Sequence, residues 1–508
     1  MARGPIIFVI GTGTTRQGMS APAKLKDYRP GAAIVLAMPL LLAGCSFAPA
    51  HVRPAQPVPQ DYPGATSGGA SIARIGWREF FREDHLRALI ATALDNNRDI
   101  QIAAARIEEA RAAWRIEGAA LYPELNAVGT GTRGRSIINL PGLGSQSLDV
   151  KQVSAQLSAG WEIDFWGRLR NLRDAARNQY LATEEARRAL ATDLIAQVAN
   201  GYLLEREYEE RVAIAEQTIA TRGESLRILR RRYEVGSGSK LEMTQAQTLL
   251  AQAQTVLQGL EQDRAVNRNA LALLVGQPVE IPPGPLGLAQ AAPQIDLPTG
   301  LPSDLIANRP DIIAAEYRLR AANANIGAAR AAFFPNISLT GAFGTASSDL
   351  DGLFGVGSRA WSFTPTITQP LFNGGRLAAN LDVMKARQVG AIAEYEKTVQ
   401  GAFKDVSDAL VRRRQLALQI ETTRTVLEAL RERARLAQLR FDHGRSAYLE
   451  VLDAQRDLFD TEQALVQLRR AHLASAIALY AALGGGFAGQ PVFDPGASGT
   501  PTSGESQR

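Results

Sequence analysis

Two pairs of carboxylates in the second half of the chain have a spacing that places both members on one side of a helix. Glu450 and Asp453 are three residues apart, and Asp405 and Asp408 repeat this spacing. Each pair could attract cations, or crowd against copies of itself in an assembly. Glu and Asp side chains usually face solvent, so a solvated helix face remains the alternative interpretation for both pairs.

Motifs for catalysis and for cofactor binding are weak in this chain. Residues 129–134 match the pattern G-x-G-x-x-G, but they open no helix, so we expect a strand end or a loop there. No G-x-S-x-G motif occurs. Four histidines are scattered without the spacing of metal ligands: His51, His85, His443 and His472. The sequence therefore predicts neither an enzyme nor a cofactor or metal site.

The only cysteine, Cys45, follows a segment with the features of a secretory signal peptide. Three basic residues precede an apolar run over residues 31–43, which is too short to span a bilayer comfortably: Lys24, Lys26 and Arg29. The run ends in Leu42-Ala43-Gly44-Cys45, which looks like a bacterial lipobox. We therefore expect a covalent lipid on Cys45; a lone buried cysteine is the alternative. A single cysteine excludes a disulfide and a cysteine metal cluster.

The net charge of +5 and the sequence pI near 9.3 could suggest a nucleic-acid partner. The basic excess lies mostly in the leader, because residues 1–44 hold five of the 56 Lys and Arg and one of the 51 Asp and Glu. Downstream of the leader the charges nearly balance, and no basic patch with stacking aromatic residues stands out. The sequence therefore predicts no nucleic-acid binding.

The second half of the chain repeats the first at an offset of 208 residues. Seven residues of the first half recur 208 positions later, with Phe for Tyr as the one change: Tyr233, Gly236, Leu241, Glu242, Ala246, Gln247 and Gly276. Upstream the offset drifts to 212, as with Asp99 and Asp311. Each copy is predicted to be one structural unit of about 200 residues, far longer than a solenoid repeat.

Composition and the repeat together predict the domain organisation. The stretch after Cys45 is rich in Pro and Gly, which is typical of an extended tether, and the C-terminal stretch is rich in Gly, Pro, Ser and Thr. The predicted segments are a signal peptide over 1–44 (with Met19 as a second candidate start), an anchor and tether over 45–80, a first repeat over 81–280, a linker over 281–303, a second repeat over 304–485 and a disordered tail over 486–508.

Each copy is predicted to contain the same order of elements. Period-two alternation from Val153 to Phe165 is typical of a strand with one apolar face. Long stretches without Pro predict helices. The predicted elements are helices over 84–119, 168–235 and 240–275 in the first copy, and a helix over 304–331, strands near 334–347 and 360–372, and helices over 376–442 and 447–483 in the second.

Apolar residues on the second long helix follow a heptad. The positions are spaced four, three, four, three, and subtracting 208 gives the same register in the first copy. Such spacing predicts antiparallel coiled-coil hairpins, with the shorter helices packed along the long one. The positions are Leu416, Ile420, Thr423, Leu427, Leu430, Ala434, Ala437 and Phe441, and their counterparts from Tyr208 to Tyr233 include Arg222.

Four strands per chain, two in each copy, constrain assembly. Each is expected to be near the nine to eleven residues that cross a membrane when tilted. Four strands cannot close a barrel, and an open edge in lipid leaves backbone groups unpaired. A trimer would supply twelve strands, so the sequence predicts an α+β membrane protein that completes a barrel with copies of itself.

With these features the chain resembles the TolC-like outer membrane efflux proteins, and within them the NodT/OprM-type lipoproteins of RND tripartite pumps. The resemblance covers about residues 70–485. It is carried by three motifs, the last of which is the most specific: Phe334-Pro335, Gln369-Pro370-Leu371-Phe372-Asn373-Gly374-Gly375-Arg376 and the run from Phe441 through Gly444-Arg445-Ser446 to Gln455.

The resemblance implies a homotrimeric duct, with a twelve-stranded β-barrel in the outer membrane continued by a helical α-barrel in the periplasm. It implies that the helix reversals meet a periplasmic adaptor, which itself serves an inner-membrane RND transporter. The adaptor-contact residues would be Gly236, Ser237, Gly444, Arg445 and Ser446. Turn chemistry alone would also explain the glycines.

The resemblance also implies a periplasmic gate at Glu450 and Asp453, with Asp405 and Asp408 as second choice. Crowded like charges there would raise some carboxyl pKa values and make closure sensitive to pH or divalent cations. Ser46 after the lipidated Cys45 fits outer-membrane sorting in such families.

The resemblance favours a passive exit duct for drugs or other toxic compounds, with metal ions or secreted peptides as alternative cargo. A periplasmic coiled-coil adaptor and a lipid-anchored envelope spacer are the alternative functions. The alternating strands argue against both, because neither function needs amphipathic membrane strands.

Overall fold

The structure is a computed structural model that describes residues 46–59, 61–62, 75–140, 144–282 and 308–485. The predicted signal peptide, Cys45 itself, the predicted C-terminal tail and most of the predicted linker lie outside the described residues. Within the described ranges, no helix is both long and apolar enough to cross a membrane.

The first half of the chain contains five helices and two strands among the described residues. They are α1 (Trp77–Phe80), α2 (Asp84–Asn96), α3 (Arg98–Ala119), β1 (Glu124–Leu140), β2 (Gly144–Ile163), α4 (Arg168–Glu234) and α5 (Lys240–Val275).

The second half has the same order of elements from its first long segment onward. They are α6 (Pro310–Ala331), β3 (Asn336–Ser347), a single 3-10 turn (Leu350–Gly352), β4 (Arg359–Thr368), α7 (Arg376–Asp442) and α8 (Tyr448–Ala482). The predicted bounds of the long and short hairpin helices are confirmed to within one or two residues.

Glycines at equivalent positions begin and end the hairpin helices in both halves. Gly167 and Gly375 precede the two long helices with positive φ values of 78° and 83°. Gly236 and Gly444, at φ 76° and 68°, follow the ends of those helices. A side chain is strained at such angles, so the 208-residue repeat fixes the same backbone turns twice.

The predicted single helix over 84–119 is wrong, because Asn97 divides it into α2 and α3. The Asn97 side-chain oxygen accepts hydrogen bonds from the backbone N–H groups of Asp99 and Ile100, at 2.9 and 3.1 Å. This is the geometry of a helix N-cap. The Asn97 amide also donates to the Leu274 carbonyl at 2.9 Å, so the end of α5 meets the start of α3 alongside α4.

The four strands form one antiparallel sheet in the order β1-β2-β3-β4. The predicted length of nine to eleven residues is wrong for the first hairpin, because β1 has 17 residues and β2 has 20. These two strands pair with each other well past Val153, where the pairing of β2 with β3 begins. The glycines of residues 129–134 lie within β1, not at a strand end or in a loop.

Strand β4 ends at Thr368, four residues before the predicted end. Gln369 and Pro370 follow, and proline has no N–H to continue a strand ladder. The Gln369 side chain turns back and donates to the Phe333 carbonyl at 3.1 Å. The start predicted for the first helix of the second repeat, residue 304, lies outside the described residues; the described helix begins at Pro310.

Heptad positions on α7 pack against α8 as predicted. Ile420, Leu427 and Ala437 are buried, and the other five positions are half-buried. On α4, Ala215, Leu226 and Leu229 are buried, but Tyr233 is exposed. The heptad prediction is confirmed for all positions except the last of the first copy, which lies beside the helix reversal.

The main hydrophobic core lies where α1, α2, α4, α7 and α8 meet, and α3, α5 and α6 also contribute buried residues to it. Trp77 and Phe80 are buried there, and Phe80 stacks on Tyr480 at a centroid distance of 4.2 Å. Helix α1, which lies within the segment predicted as a tether, thus contributes two large side chains to this core.

Candidate functional site

One face of the sheet is apolar and open to solvent. Odd-numbered positions on the strands point to this face, and continuous antiparallel register keeps them together. Water does not favour such a surface. The exposed members, with exposed fractions between 38% and 76%, are Leu125, Leu157, Trp161, Phe343, Trp361, Phe363 and Ile367.

The opposite face of the sheet carries hydroxyl and amide side chains. Thr130 and Ser154 share a hydrogen bond of 2.6 Å across β1 and β2. Glu162 lies on this face near the helices, and Arg168 holds it with hydrogen bonds of 2.8 Å to both carboxylate oxygens. The other polar members of β2, β3 and β4 include Gln156, Ser158, Ser338, Thr340, Ser362, Thr364 and Thr366. The sheet can therefore separate an apolar environment from a polar one.

Aromatic side chains gather where the sheet joins the helices. The Trp161 indole donates to the Leu121 carbonyl at 3.0 Å, and the Trp166 indole donates to the Pro335 carbonyl at 2.9 Å. Phe334 stacks on Trp166 at a centroid distance of 4.7 Å. Rings with one apolar end and one polar end are typical of the boundary between membrane and water.

The segment after Cys45 is packed at this boundary. Phe47 also stacks on Phe334, at a centroid distance of 4.7 Å and an interplanar angle of 7°. Arg330 donates to the Phe47 carbonyl at 2.9 Å. Ser46 donates to the Asn171 side chain on α4 at 3.0 Å. The residue that follows Cys45 is therefore fixed at the level of the aromatic boundary.

Farther along, the same segment is held by a cluster of charges around Glu316 on α6. Arg53 lies 2.8 Å from one carboxylate oxygen, while His51 at 3.1 Å and Arg320 at 2.6 Å contact the other. Burial acts to raise the pKa of Glu316, but hydrogen bonds from Arg53 and His51 and the charge of Arg320 outweigh it and hold the pKa below its usual value. The tether predicted over 45–80 is thus held against the helices from Ser46 to Arg53.

The two helix reversals have the same backbone hydrogen bonds. Gly236 N–H donates to the Tyr233 carbonyl at 2.9 Å, and Gly444 N–H donates to the Phe441 carbonyl at 2.8 Å. Ser237 and Arg445, one residue later, each donate at 2.8 Å to a carbonyl five residues back. These bonds satisfy carbonyls left free at a helix end.

The side chains at the reversals differ more than the backbone. Ser239 and Glu242 form a capping box that starts α5, whereas Ala447 precedes α8 without a side-chain cap. Arg445 is exposed, and Ser446 is half-buried with its hydroxyl oxygen buried. The predicted adaptor-contact residues therefore lie together in two turns of equal backbone and unequal chemistry.

The predicted gate carboxylates lie in the first turns of α8. Glu450 contacts Arg440 of α7 at 3.1 Å, and Asp453 contacts Arg456 of its own helix at 3.5 Å. Both carboxylates are substantially exposed, with side-chain fractions of 47% and 41%. Glu242, the counterpart of Glu450, has the different task of capping α5.

The second-choice pair lies far from the first along the helices. Asp405 is 37 residues before Asp442 at the end of α7, or roughly 55 Å at 1.5 Å per residue. Asp405 contacts Arg309 at 3.4 Å and Asp408 contacts Lys404 at 2.9 Å. The hydrogen bond from Lys404 lowers the pKa of Asp408. Both aspartates line an open pocket of about 460 Å³ that mixes charges of both signs.

Arg222 is a buried residue in the helix seam that the sequence reasoning left without a role. It occupies a heptad position of α4, where the second repeat has Leu430, and only 4% of it is exposed. Burial lowers the pKa of Arg222. The one available signal was a cation at an otherwise apolar heptad position.

Comparisons with known proteins agree with this geometry. The family model described as outer membrane efflux protein matches residues 89–277 and again 301–485. The cation efflux system protein CusC of Escherichia coli O6:H1 is 41% identical over 452 residues, which is 88% of this chain and 97% of that protein. The solvent efflux pump outer membrane protein SrpC of Pseudomonas putida is 42% identical over 458 residues, with 88% and 97% covered.

A crystal structure of CusC, reported with conformational changes that accompany folding and transmembrane channel formation, superposes with a TM-score of 0.79 at 40% identity. It covers 87% of this chain and 100% of that chain. The fold and the two-faced sheet thus define an outer membrane channel protein. The chain belongs to the outer membrane efflux protein family, whose members are transport channels, not enzymes.

Proposed function

We propose that three copies of this chain form the exit duct of a tripartite efflux pump in the outer membrane. One observation carries the proposal: the four-stranded sheet has an exposed apolar face, a polar face, and open outer edges at β1 and β4 within the described residues. An open edge in lipid leaves N–H and C=O groups unpaired at several kcal/mol each. Pairing β4 of one copy with β1 of the next removes these outer edges over the length of β4; past Val153 the β1–β2 hairpin extends beyond β3.

Twelve strands would form a closed barrel with the hydroxyl and amide face toward a water-filled lumen. The helices α4, α5, α7 and α8 would continue that lumen as an α-barrel. The heptad seams between α4 and α5 and between α7 and α8 supply the lateral packing that such a wall needs.

A lipid on Cys45 would anchor each copy. Phe47 packs against the aromatic boundary of the sheet, so an acyl chain two residues earlier would enter the membrane at the level of Trp161 and Trp166. The anchor and the barrel would then share one depth in the bilayer.

The helix reversals would meet a periplasmic adaptor, and the adaptor would connect the duct to an inner-membrane RND transporter. The exposed Arg445 beside Gly444, with Ser237 beside Gly236 in the other reversal, gives the partner two distinguishable turns per copy. Glu450 and Asp453 would gather near the threefold axis and form the periplasmic gate, with Asp405 and Asp408 as a second constriction nearer the membrane.

The transported compound would be selected by the pump more than by the duct. CusC is named for cation efflux and SrpC for solvent efflux, although both are about equally similar to this chain. We assign drugs or other toxic compounds as cargo, with metal ions or secreted peptides as the alternatives. The duct would act passively, without catalysis and without a cofactor.

Single-channel recording tests the proposal. Purified lipidated protein should migrate as a heat-stable trimer on gels and should produce stepwise conductance in planar bilayers. Cysteines placed at Leu125 of β1 and Ile367 of β4 should cross-link between copies, whereas a pair at Leu125 and Phe343 should not. A monomer that produces no conductance would contradict the proposed duct and would favour a spacer or an adaptor.

A further inference from the structure

The apolar face of the sheet continues into a basic region along the first hairpin. Past Val153, β1 and β2 pair only with each other, and their odd-numbered positions stay on the same face as Leu157 and Trp161. The positions reached next on that face are Arg133 and Lys151. The character of the face therefore changes from apolar to cationic along two continuous strands.

Arg133 and Lys151 are directly opposite each other in the β1–β2 register, and both are exposed. Like charges directly opposite on a sheet are destabilising. The next pair on the same face, Arg135 and Asp149, is matched by an ion pair of 2.8 Å. In the part of the chain that the structure describes, Arg133 and Lys151 have no such acidic partner.

The distance along the strand places this pair at the far side of the apolar face. Lys151 is ten residues from Trp161, which is about 33 Å along a strand. With a tilt near 40° the rise is about 25 Å, close to the height of the apolar band of a membrane barrel. Trp161 lies at the helix end of that band, so the cationic pair would lie at the opposite boundary.

We propose that Arg133 and Lys151 together bind the phosphate group of an anionic lipid in the outer leaflet. The inference rests on the proposed function, since it needs the sheet to cross the outer membrane. A guanidinium can donate two parallel hydrogen bonds to a phosphate, and an ammonium adds a point charge beside it. A bound phosphate also removes the repulsion between the two cations, and the adjacent apolar side chains of Leu157 and Val153 would contact the acyl chains.

Lipid retention tests the site. Purified lipidated protein in non-ionic detergent is titrated with diphosphoryl lipid A, and bound lipid is counted by native mass spectrometry. Arg133→Gln combined with Lys151→Gln should weaken binding by about tenfold or more, because two charged contacts to phosphate are lost. Arg227→Gln combined with Arg435→Gln is the matched control: it removes two exposed, helix-borne cations and should bind as the wild type does.

Two further probes identify the chemistry that is recognised. Dephosphorylated lipid A should bind the wild type and the double variant equally weakly. If the wild type binds lipid A and dephosphorylated lipid A equally well, the proposal is overturned. Inorganic phosphate should not displace lipid A at millimolar concentration; displacement would show a site for a free anion, which contradicts a lipid headgroup site. Equal lipid A affinity of wild type and double variant likewise overturns it.

Conductance separates this inference from the duct itself. In bilayers of phosphatidylcholine alone, wild type, double variant and control should conduct equally, which also shows that the double variant folds and assembles. If the wild type does not conduct, the proposed duct fails whatever the lipid result. If all three conduct and the double variant keeps its lipid A, only the phosphate site fails.

Discussion

The guanidinium of Arg222 on α4 donates a 2.8 Å hydrogen bond to the Leu249 carbonyl on α5. A second, longer bond of 3.4 Å reaches the Gln455 carbonyl on α8, and the guanidinium lies over the Phe459 ring at 5.1 Å. One side chain thus joins the first hairpin to the second. Its Nε has no partner among the described residues.

Arg222→Leu is expected to stabilise the seam. The substitution installs the residue type that the second repeat already has at Leu430, and it removes a buried charge that contacts no carboxylate among the described residues. Replacing a buried ion pair by apolar residues of similar volume is often neutral or stabilising by about 1–4 kcal/mol, because the desolvation cost disappears, and a single buried charge carries the same kind of cost. The measurement is the midpoint of thermal unfolding in detergent, expected to rise.

Arg222→Ala provides the contrast, because it removes the charge but leaves a cavity beside Phe459. The midpoint should fall, by the equivalent of about 2 kcal/mol or more. If leucine and alanine lower the midpoint equally, the guanidinium contributes stabilising contacts that outweigh its desolvation.

Asp453→Ala and Glu450→Ala are each expected to increase single-channel conductance, on the order of twofold, because the proposed ring of carboxylates would hold the closed state together through bound cations. Glu450→Ala also releases Arg440 from its 3.1 Å contact. Glu242→Ala, the counterpart in the first repeat, should leave conductance unchanged. Unchanged conductance in both test variants removes the gate assignment.

Gly236→Ala and Gly444→Ala should each destabilise a helix reversal. The positive φ values of 76° and 68° are strained for alanine, at about 1–2 kcal/mol, although no atom lies near the added Cβ. Limited proteolysis should cut both variants faster at the reversals. Gly259→Ala is the control: its added Cβ also meets nothing, but in a helix interior alanine is favoured by roughly 0.5–1 kcal/mol.

Gly327→Ala should displace the segment after Cys45 that packs against the helices. The added Cβ would lie 2.8 Å from the Ala48 nitrogen and 2.8 Å from Asn171 Cγ, closer than packed atoms allow. Overpacking of this kind costs about 1–3 kcal/mol. Hydrogen exchange over residues 46–59 should speed up. Gly118→Ala, with its nearest atom at 3.9 Å, should leave exchange in that segment as it is in the wild type.

The contribution of Glu316 should depend on pH below the usual range of a glutamate. Its folded pKa is lowered, so its stabilising effect is complete above the unfolded pKa near 4.5 and is lost as pH falls through the lower folded value. The gap in unfolding midpoint between wild type and Glu316→Gln should shrink as the pH falls below about 4.5. A gap that widens as the pH falls below about 4.5 contradicts this assignment.

Local signals predicted the helical part of the fold well. Glycines that need positive φ and heptads that need a seam act over a few residues, so Gly236, Gly444 and the row from Leu416 to Phe441 identify the reversals and the packing faces directly. The break at Asn97 was missed because alanine-rich sequence on both sides hides a cap. That cap is reinforced by a partner 177 positions away, Leu274.

Strand lengths and the site details depended on partners distant in sequence. The length of β1 and β2 is set by their pairing with each other. The alternation of apolar and polar residues, which begins only at Val153, does not reveal this pairing. The segment from Ser46 to Arg53 was predicted to be an extended tether, because its proline-rich composition does not reveal its contacts with Glu316 and Phe334. The gate and adaptor residues were inferred by resemblance, and their roles remain predictions.

The two long helices, α4 and α7, both contain 67 residues. Their reversals therefore lie level with each other, and adding residues to one helix alone would tilt and rotate its turn relative to the other. A longer duct needs seven residues, about 10.5 Å, added in step to all four helices of both hairpins. Insertions of three or four residues would locally overwind or unwind the seams, so a change of length that keeps the packing needs the same insertion in all four helices.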